Sequence, residues 1–309
     1  MNASNYETRE DFIMERRAFG KTGMEVSILG FGGAEIGKET DLSKVEQLLG
    51  SALDAGLNMI DTAECYGDSE ELIGKTMANR RSEYYLFTKC GHASGLDYKD
   101  WDPELLEKSI DRSLKRLQTD YVDCIHLHSC SEDVLRQGAV IEVLQKAKQQ
   151  GKTRFIGYSG DSINALYAVQ TGVFDSLMVS LNIADQEVID LTLPEARKRG
   201  MGIIAKRPIA NAAWTYDKLP ENAYPYQYWQ RLKELQFDFL RDNEQAVADA
   251  LHFTLDTPGV DTAIVGTNKP GRWSQNAEML ASTSLSRDKY QEIRARWKEV
   301  APRDWVGLT

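Results

Sequence analysis

The sequence predicts an α/β fold: a closed (β/α)8 TIM barrel with an N-terminal hairpin, a long loop after the seventh strand and a C-terminal helix. Three observations carry this reading. From about Ser27 onward, a short β-branched or apolar run, a turn and an amphipathic helix follow one another as a unit. That unit recurs until eight strands can be counted. No Pro/Ser-rich linker or break in composition divides the 309 residues, so one barrel domain spanning 1–309 is expected. An open doubly wound sheet is the alternative that the same pattern allows.

The elements follow in order. Residues 1–26 are an extension and hairpin outside the repeat, with Lys21-Thr22-Gly23 as the turn. Ile28 to Phe31 is the first strand. Val45, Leu48, Leu49, Ala52 and Leu53 then make one apolar stripe of a helix that Gly56 ends. Leu57 to Asp61 is a strand, Glu70 to Met77 a helix and Tyr84 to Lys89 a strand. A helix with Leu106, Ile110, Leu114 and Leu117 on one face leads to the strand Tyr121 to His128. Val140 to Gln150 is a helix capped by Gly151, Thr153 to Ser159 a strand and Ile163 to Thr171 a helix. Further strands at Ser176 to Val179, Gly202 to Lys206 and Thr262 to Val265 alternate with helices around Ile189 to Arg199, Glu244 to Leu255 and Pro270 to Glu278. A last helix covers Ser286 to Val300. The connection 209–243 holds Trp214, Tyr216, Tyr224, Tyr226, Tyr228 and Trp229, and reads as an aromatic lid or packing flap.

Composition narrows the class of function. Lys+Arg 37 against Asp+Glu 47 gives a net charge of −10, the wrong sign for gripping nucleic acid or an anionic membrane through a basic face. The N-terminus is polar and no apolar run of about 18 residues occurs, so a soluble cytoplasmic protein is expected. Cys65, Cys90, Cys124 and Cys130 form no Cys-x-x-Cys pair, and reduced thiols are expected. Oligomeric state leaves no mark in the sequence.

In such a barrel, the side chains at the carboxyl ends of the strands share one mouth. Those ends are Asp61, Lys89, His128, Ser159, Lys206 and Gly266, and Tyr66 follows Asp61 by five residues. The set suits carbonyl reduction. A phenol with a pKa of about 10 can protonate a carbonyl oxygen if its anion is stabilised. Lys89 would supply the stabilising charge, Asp61 would hold Lys89, and His128 would orient the oxygen.

Asp61-Thr62-Ala63-x-x-Tyr66-Gly67, Phe87-Thr88-Lys89, Tyr121-Val122-Asp123 leading to His128, and Gly151-Lys152 leading to Ile156-Gly157-x-Ser159 resemble the aldo-keto reductase family over nearly the whole chain. The resemblance implies a catalytic tetrad of Asp61, Tyr66, Lys89 and His128 in an NADPH-dependent reductase of small aldehydes or ketones. It also implies cofactor contacts from Gly32 and Gly33 in the first loop, Ser159 and Asn182 at the carboxamide, and Gly266, Thr267, Arg272 and Asn276 at the adenosine phosphate and adenine. A helix N-terminus near Pro270 beside Arg272 is an anion site on physical grounds too, which favours NADPH over NADH. The sequence departs from the family pattern at Gly160, where Asn is usual, at Met178, where Gln is usual, and at Lys206, where an aromatic ring is common. Lys206 and Arg207 then become candidate partners of a phosphate or an acidic substrate group.

The residues also allow two competing readings. A cofactor-binding sensor on the same scaffold would need Ser159, Arg272 and Asn276 but not the tetrad. A metal-dependent hydrolase would use His126-x-His128; yet Cys124 and Cys130 lie roughly 20 Å apart along the strand, and only His92 and His252 remain as further histidines. No metal is therefore expected, and His126 is read as a residue filling the barrel. Cys65 and Cys90 flank Tyr66 and Lys89, where redox-sensitive thiols are one reading; sequence neighbours point to different sides, so incidental placement is expected.

Overall fold

The computed structural model describes residues 14–219 and 223–308. The extension before residue 14 and the side chain of Tyr224 fall outside the described residues. The strands are β1 (Arg16–Ala18), β2 (Glu25–Ser27), β3 (Leu29–Gly32), β4 (Met59–Asp61), β5 (Tyr85–Cys90), β6 (Val122–His128), β7 (Thr153–Ser159), β8 (Ser176–Ser180), β9 (Gly202–Lys206) and β10 (Thr262–Gly266). Strands β3 to β10 close into an all-parallel barrel in which β10 pairs with both β9 and β3. The eight strands expected from the sequence are these eight. β1 and β2 form the antiparallel hairpin.

The helices are α1 (Leu42–Asp54), α2 (Ser69–Met77), α3 (Pro103–Leu117), α4 (Glu132–Gln137), α5 (Ala139–Gln149), α6 (Ser162–Thr171), α7 (Glu187–Leu191), α8 (Leu193–Arg199), α9 (Ala223–Leu235), α10 (Asn243–Leu255), α11 (Arg272–Ser282) and α12 (Arg287–Val300). Local chemistry sets their ends. The Asp41 carboxylate accepts from the Ser43 and Lys44 amides at the start of α1. Asp102 does the same for Glu104 at the start of α3, where Pro103 opens the helix.

Period two sorts each strand into an inward and an outward row. Ile60, Leu86, Ile125 and Leu127 face the helices as part of the large outer core. Met59, Phe87, Cys124, Met178 and Ile204 point inward and meet Phe19, Met24 and Val26 of the hairpin, which plugs the amino end of the barrel. His126 fills the interior as expected: it is fully buried, shares a 3.0 Å hydrogen bond with Ser176 and is pushed down to about 3 by burial, so it stays neutral. A Cβ on Gly157 would lie 2.3 Å from the His126 ring, so only glycine leaves space for it.

Three segments differ from the sequence expectation. The helix expected over Ile189 to Arg199 is two helices, α7 and α8, because Pro194 in the first turn of α8 cannot continue the preceding one. α4 is an additional single-turn element. The aromatic connection 209–243 is more than a loop: it carries the 13-residue α9, whose Tyr228, Leu232 and Leu235 are buried at helical spacing. The Trp229 indole donates to the Tyr216 carbonyl at 2.9 Å.

The C-terminal tail threads into the same region. Asp185 is fully buried and accepts hydrogen bonds from the Tyr228 hydroxyl and the Leu308 amide, each at 3.1 Å. Burial pushes its carboxyl from the ordinary 3.8 up to about 7, against the pull of Arg231. The folded state thus holds this proton more tightly than the unfolded chain does. Its contribution to stability is complete below pH 3.8 and is lost as the pH rises through 7. Asp185→Asn is expected to make the fall in urea midpoint between those pH values shallower; a slope identical to the parent's would contradict this.

Candidate active site

A cavity of about 1430 Å³ opens at the carboxyl ends of the barrel strands. At its floor stand Asp61 from the end of β4, Tyr66 from the following turn and His128 from the end of β6. Lys89 sits behind them, one residue from the end of β5 and 1% exposed. Its Nζ donates to Asp61 Oδ2 at 2.5 Å and to the Thr62 carbonyl at 2.8 Å. It also lies 4.7 Å from the centroid of the Tyr66 ring.

The charges of this group follow from burial and partners. Burial alone would push the Lys89 ammonium down, but Asp61 and then Tyr66 outweigh it and hold the pKa above the ordinary lysine value. Lys89 therefore stays charged. Tyr66 is pushed up by burial, with Lys89 pulling against it. The lysine thus offsets part of the penalty on the phenolate without overcoming it, so the resting phenol is fully protonated. His128 is held well below the usual histidine range, first by burial and then by the Lys89 charge, and is neutral.

Neutral imidazole carries one proton, and a thiol stands beside one of its two nitrogens. Cys65 Sγ lies 3.4 Å from His128 Nδ1. Burial pushes the Cys65 thiol up to about 12, so it is protonated and can donate to Nδ1. With the thiol as donor, the ring proton sits on Nε2, the nitrogen left to donate elsewhere. The sequence reading treated Cys65 as incidental. The turn at residues 63–66 instead carries its side chain to His128, whereas Cys90 is buried in the outer core. His92 stacks edgewise on both His128 and Trp101, with 5.1 Å between ring centroids in each pair, and was likewise missed because its loop position has no periodicity to read.

Gly32, Ser159, Lys206, Arg207, Gly266, Thr267, Arg272 and Asn276 all line the cavity. Gly33 and Asn182 do not. Gly33 packs toward Ser69 and the Asp61 carbonyl. Asn182 is fully buried, donates to the Arg207 carbonyl and accepts from the Ala184 amide.

The departures from the family pattern have local causes. A side chain at Gly160 would run into the Tyr158 ring and hydroxyl, the latter only 2.6 Å from the added Cβ and fixed by its bond to the Cys130 carbonyl. Lys206 is paired with Asp161 at 2.8 Å, and Arg207 donates to Ser180 Oγ and to the Leu308 carbonyl. Both cations considered for a phosphate or acidic group thus already have protein partners. Asp161 sits just before α6 but makes no capping bond; it accepts from Ser180 and Lys206 instead.

A sequence model described as the aldo/keto reductase family matches residues 28–298. The chain is 30% identical to L-galactose dehydrogenase of Arabidopsis thaliana, over 94% of this chain and 97% of that protein. It is 26% identical to D-threo-aldose 1-dehydrogenase of a Pseudomonas species, over 84% and 91%. Among solved structures, the holo form of an aldo-keto reductase from Bacillus halodurans superposes with a TM-score of 0.80 at 26% identity, covering 94% of this chain and 99% of that one.

The ion pair yields a stability prediction. Lys89→Met strands the Asp61 carboxylate, which already has one oxygen without a partner, in a dry interior. A loss of about 3–5 kcal/mol in urea denaturation is expected, with Asp61→Asn/Lys89→Met losing less than the single variant. Equal loss in both would contradict the pairing energetics.

Proposed function

Because the chain belongs to the aldo/keto reductase family, an oxidoreductase family that acts on small carbonyl compounds with a nicotinamide cofactor, we propose that it reduces aldehydes or ketones to alcohols with NADPH and that Tyr66 is the proton donor. The observation that carries this reading is the convergence of a protonated phenol, a buried ammonium and a neutral imidazole on the floor of one cavity.

The residues fit the cofactor. The cavity runs from Tyr66 and His128, past Ser159 and Lys206, to Thr267, Arg272 and Asn276. The N-terminus of the 11-residue α11 and Arg272 would hold the adenosine phosphate, and Gly32 and Ser159 would border the nicotinamide. When bound, the cofactor supplies the hydride.

The protein's own groups do the rest. His128 donates from Nε2 to the carbonyl oxygen and orients it. Tyr66 passes its hydroxyl proton to that oxygen as negative charge develops there. Lys89 faces the phenolate that remains, and Asp61 keeps Lys89 charged and aimed. The same groups serve alcohol oxidation in reverse, the direction named for the two dehydrogenase relatives.

The test follows NADPH consumption with a panel of aldehydes, ketones and quinones, and NADP+ reduction with aldoses. Turnover is expected in the parent, with a loss of about 10²–10⁴-fold in Tyr66→Phe while NADPH binding persists. Full activity in Tyr66→Phe would refute the proton donor. Tight NADPH binding with no turnover on any substrate would favour the sensor, and NADH binding as tight as NADPH would remove the role given to Arg272.

A further inference from the structure

Among the described residues, Glu64, Cys65 and His128 bring a carboxylate oxygen, a thiol sulfur and an imidazole nitrogen within 4.8 Å of one another. This set differs from the His126-x-His128 motif legible in the sequence. Two ligands come from the turn after β4 and the third from the rigid end of β6. The Cys65 Sγ to His128 Nδ1 separation is 3.4 Å. Zinc bonds of about 2.3 Å to sulfur and about 2.0 Å to nitrogen at tetrahedral angles place those atoms roughly 3.5 Å apart. The observed spacing is already that of a chelate edge.

Glu64 adds a second, independent feature. It is 1% exposed; one carboxylate oxygen accepts from the His92 amide at 2.9 Å, and the other, Oε2, is buried with no partner. A desolvated oxygen without a donor costs free energy that a cation would recover. The fixed charge also balances, because Zn2+ with one thiolate and one carboxylate is neutral and Lys89 is already matched by Asp61. Cys65 and His128 are only partly buried and His128 borders the cavity, so an ion can enter and retain water at its fourth position.

We propose that Glu64, Cys65 and His128 form a binding site for a thiophilic divalent cation, Zn2+, on the Nδ1 face of the imidazole. On binding, the Cys65 S–H bond breaks and an S–Zn bond forms; that proton, and the one on Glu64 wherever its carboxyl is protonated, leave to solvent, and no electron is transferred. Zn2+ takes the Nδ1 lone pair that the thiol otherwise occupies, so the imidazole is held by a metal bond.

The experiment titrates the full-length, metal-free protein with Zn2+ against a chromophoric zinc chelator, with a reductant that contains no thiol. One Zn2+ per chain is expected, with affinity weakened about tenfold or more in Cys65→Ser and in Glu64→Gln, and unchanged in Cys130→Ser. Thermal melts of the metal-free variants separate lost ligation from lost folding. Co2+ provides a second readout, a thiolate-to-metal charge-transfer band that is present in the parent and absent in Cys65→Ser. No stoichiometric uptake, or equal uptake by the parent and both ligand variants, would overturn the proposal.

Discussion

The site depends on one buried ion pair. Lys89 and Asp61 are each 1% exposed, and neither could remain charged there alone. Together, at 2.5 Å and with the Thr62 carbonyl as a further acceptor, they keep a full positive charge beside Tyr66 in a place that water does not screen. The same charge helps hold His128 neutral. One pair thus sets the protonation states of two neighbouring groups, which makes its geometry more consequential than any single contact to the cavity.

The barrel makes such a pair affordable by closing one end and opening the other. At the amino end, Phe19, Met24 and Val26 of the hairpin fill the interior, and Phe19 packs on Phe87 at 5.5 Å between ring centroids. Above that layer, period two leaves Asp61, Lys89, His128 and Ser159 as the last inward residues of four neighbouring strands. The polar groups are therefore gathered by the same alternation that buries the apolar ones. The lower layers exclude water from the pair, and the mouth admits a ligand.

The alternation is also why so much was legible in the sequence. Strand ends can be read from apolar runs and turns, and of the residues picked out that way Asp61, His128, Ser159, Lys206 and Gly266 line the cavity, with Lys89 buried behind them. Boundaries set by cooperation between distant segments were not legible. Tyr228, Leu232 and Leu235 have helical spacing, but they stand among aromatics that read equally well as a lid, and the partner of the inward Tyr228 hydroxyl, Asp185, lies 43 residues away and is held by the C-terminal tail. The pairing of Asp161 with Lys206 spans 45 residues, and no local pattern links the two. Cys65 was discounted by a strand rule that does not hold in a turn.

The Cys65 case shows how the acid and its orienting group are coupled. Tyr66 and Cys65 are adjacent in one turn, so whatever fixes the turn fixes the phenol and the thiol together. The Tyr66 amide donates to the Ala63 carbonyl at 3.1 Å, and the Tyr66 carbonyl accepts from the Ser69 amide at 3.1 Å. Ser69 is itself buried, donates to the Gly33 carbonyl and shares a hydrogen bond with Thr62. A chain of short bonds therefore runs from the first barrel loop through Ser69 to the turn, and from the turn through sulfur to His128. Displacement of the turn would move the proton donor and the thiol beside His128 at once. In this chain the two groups that would meet a carbonyl oxygen are a single mechanical unit anchored on Lys89 and Asp61.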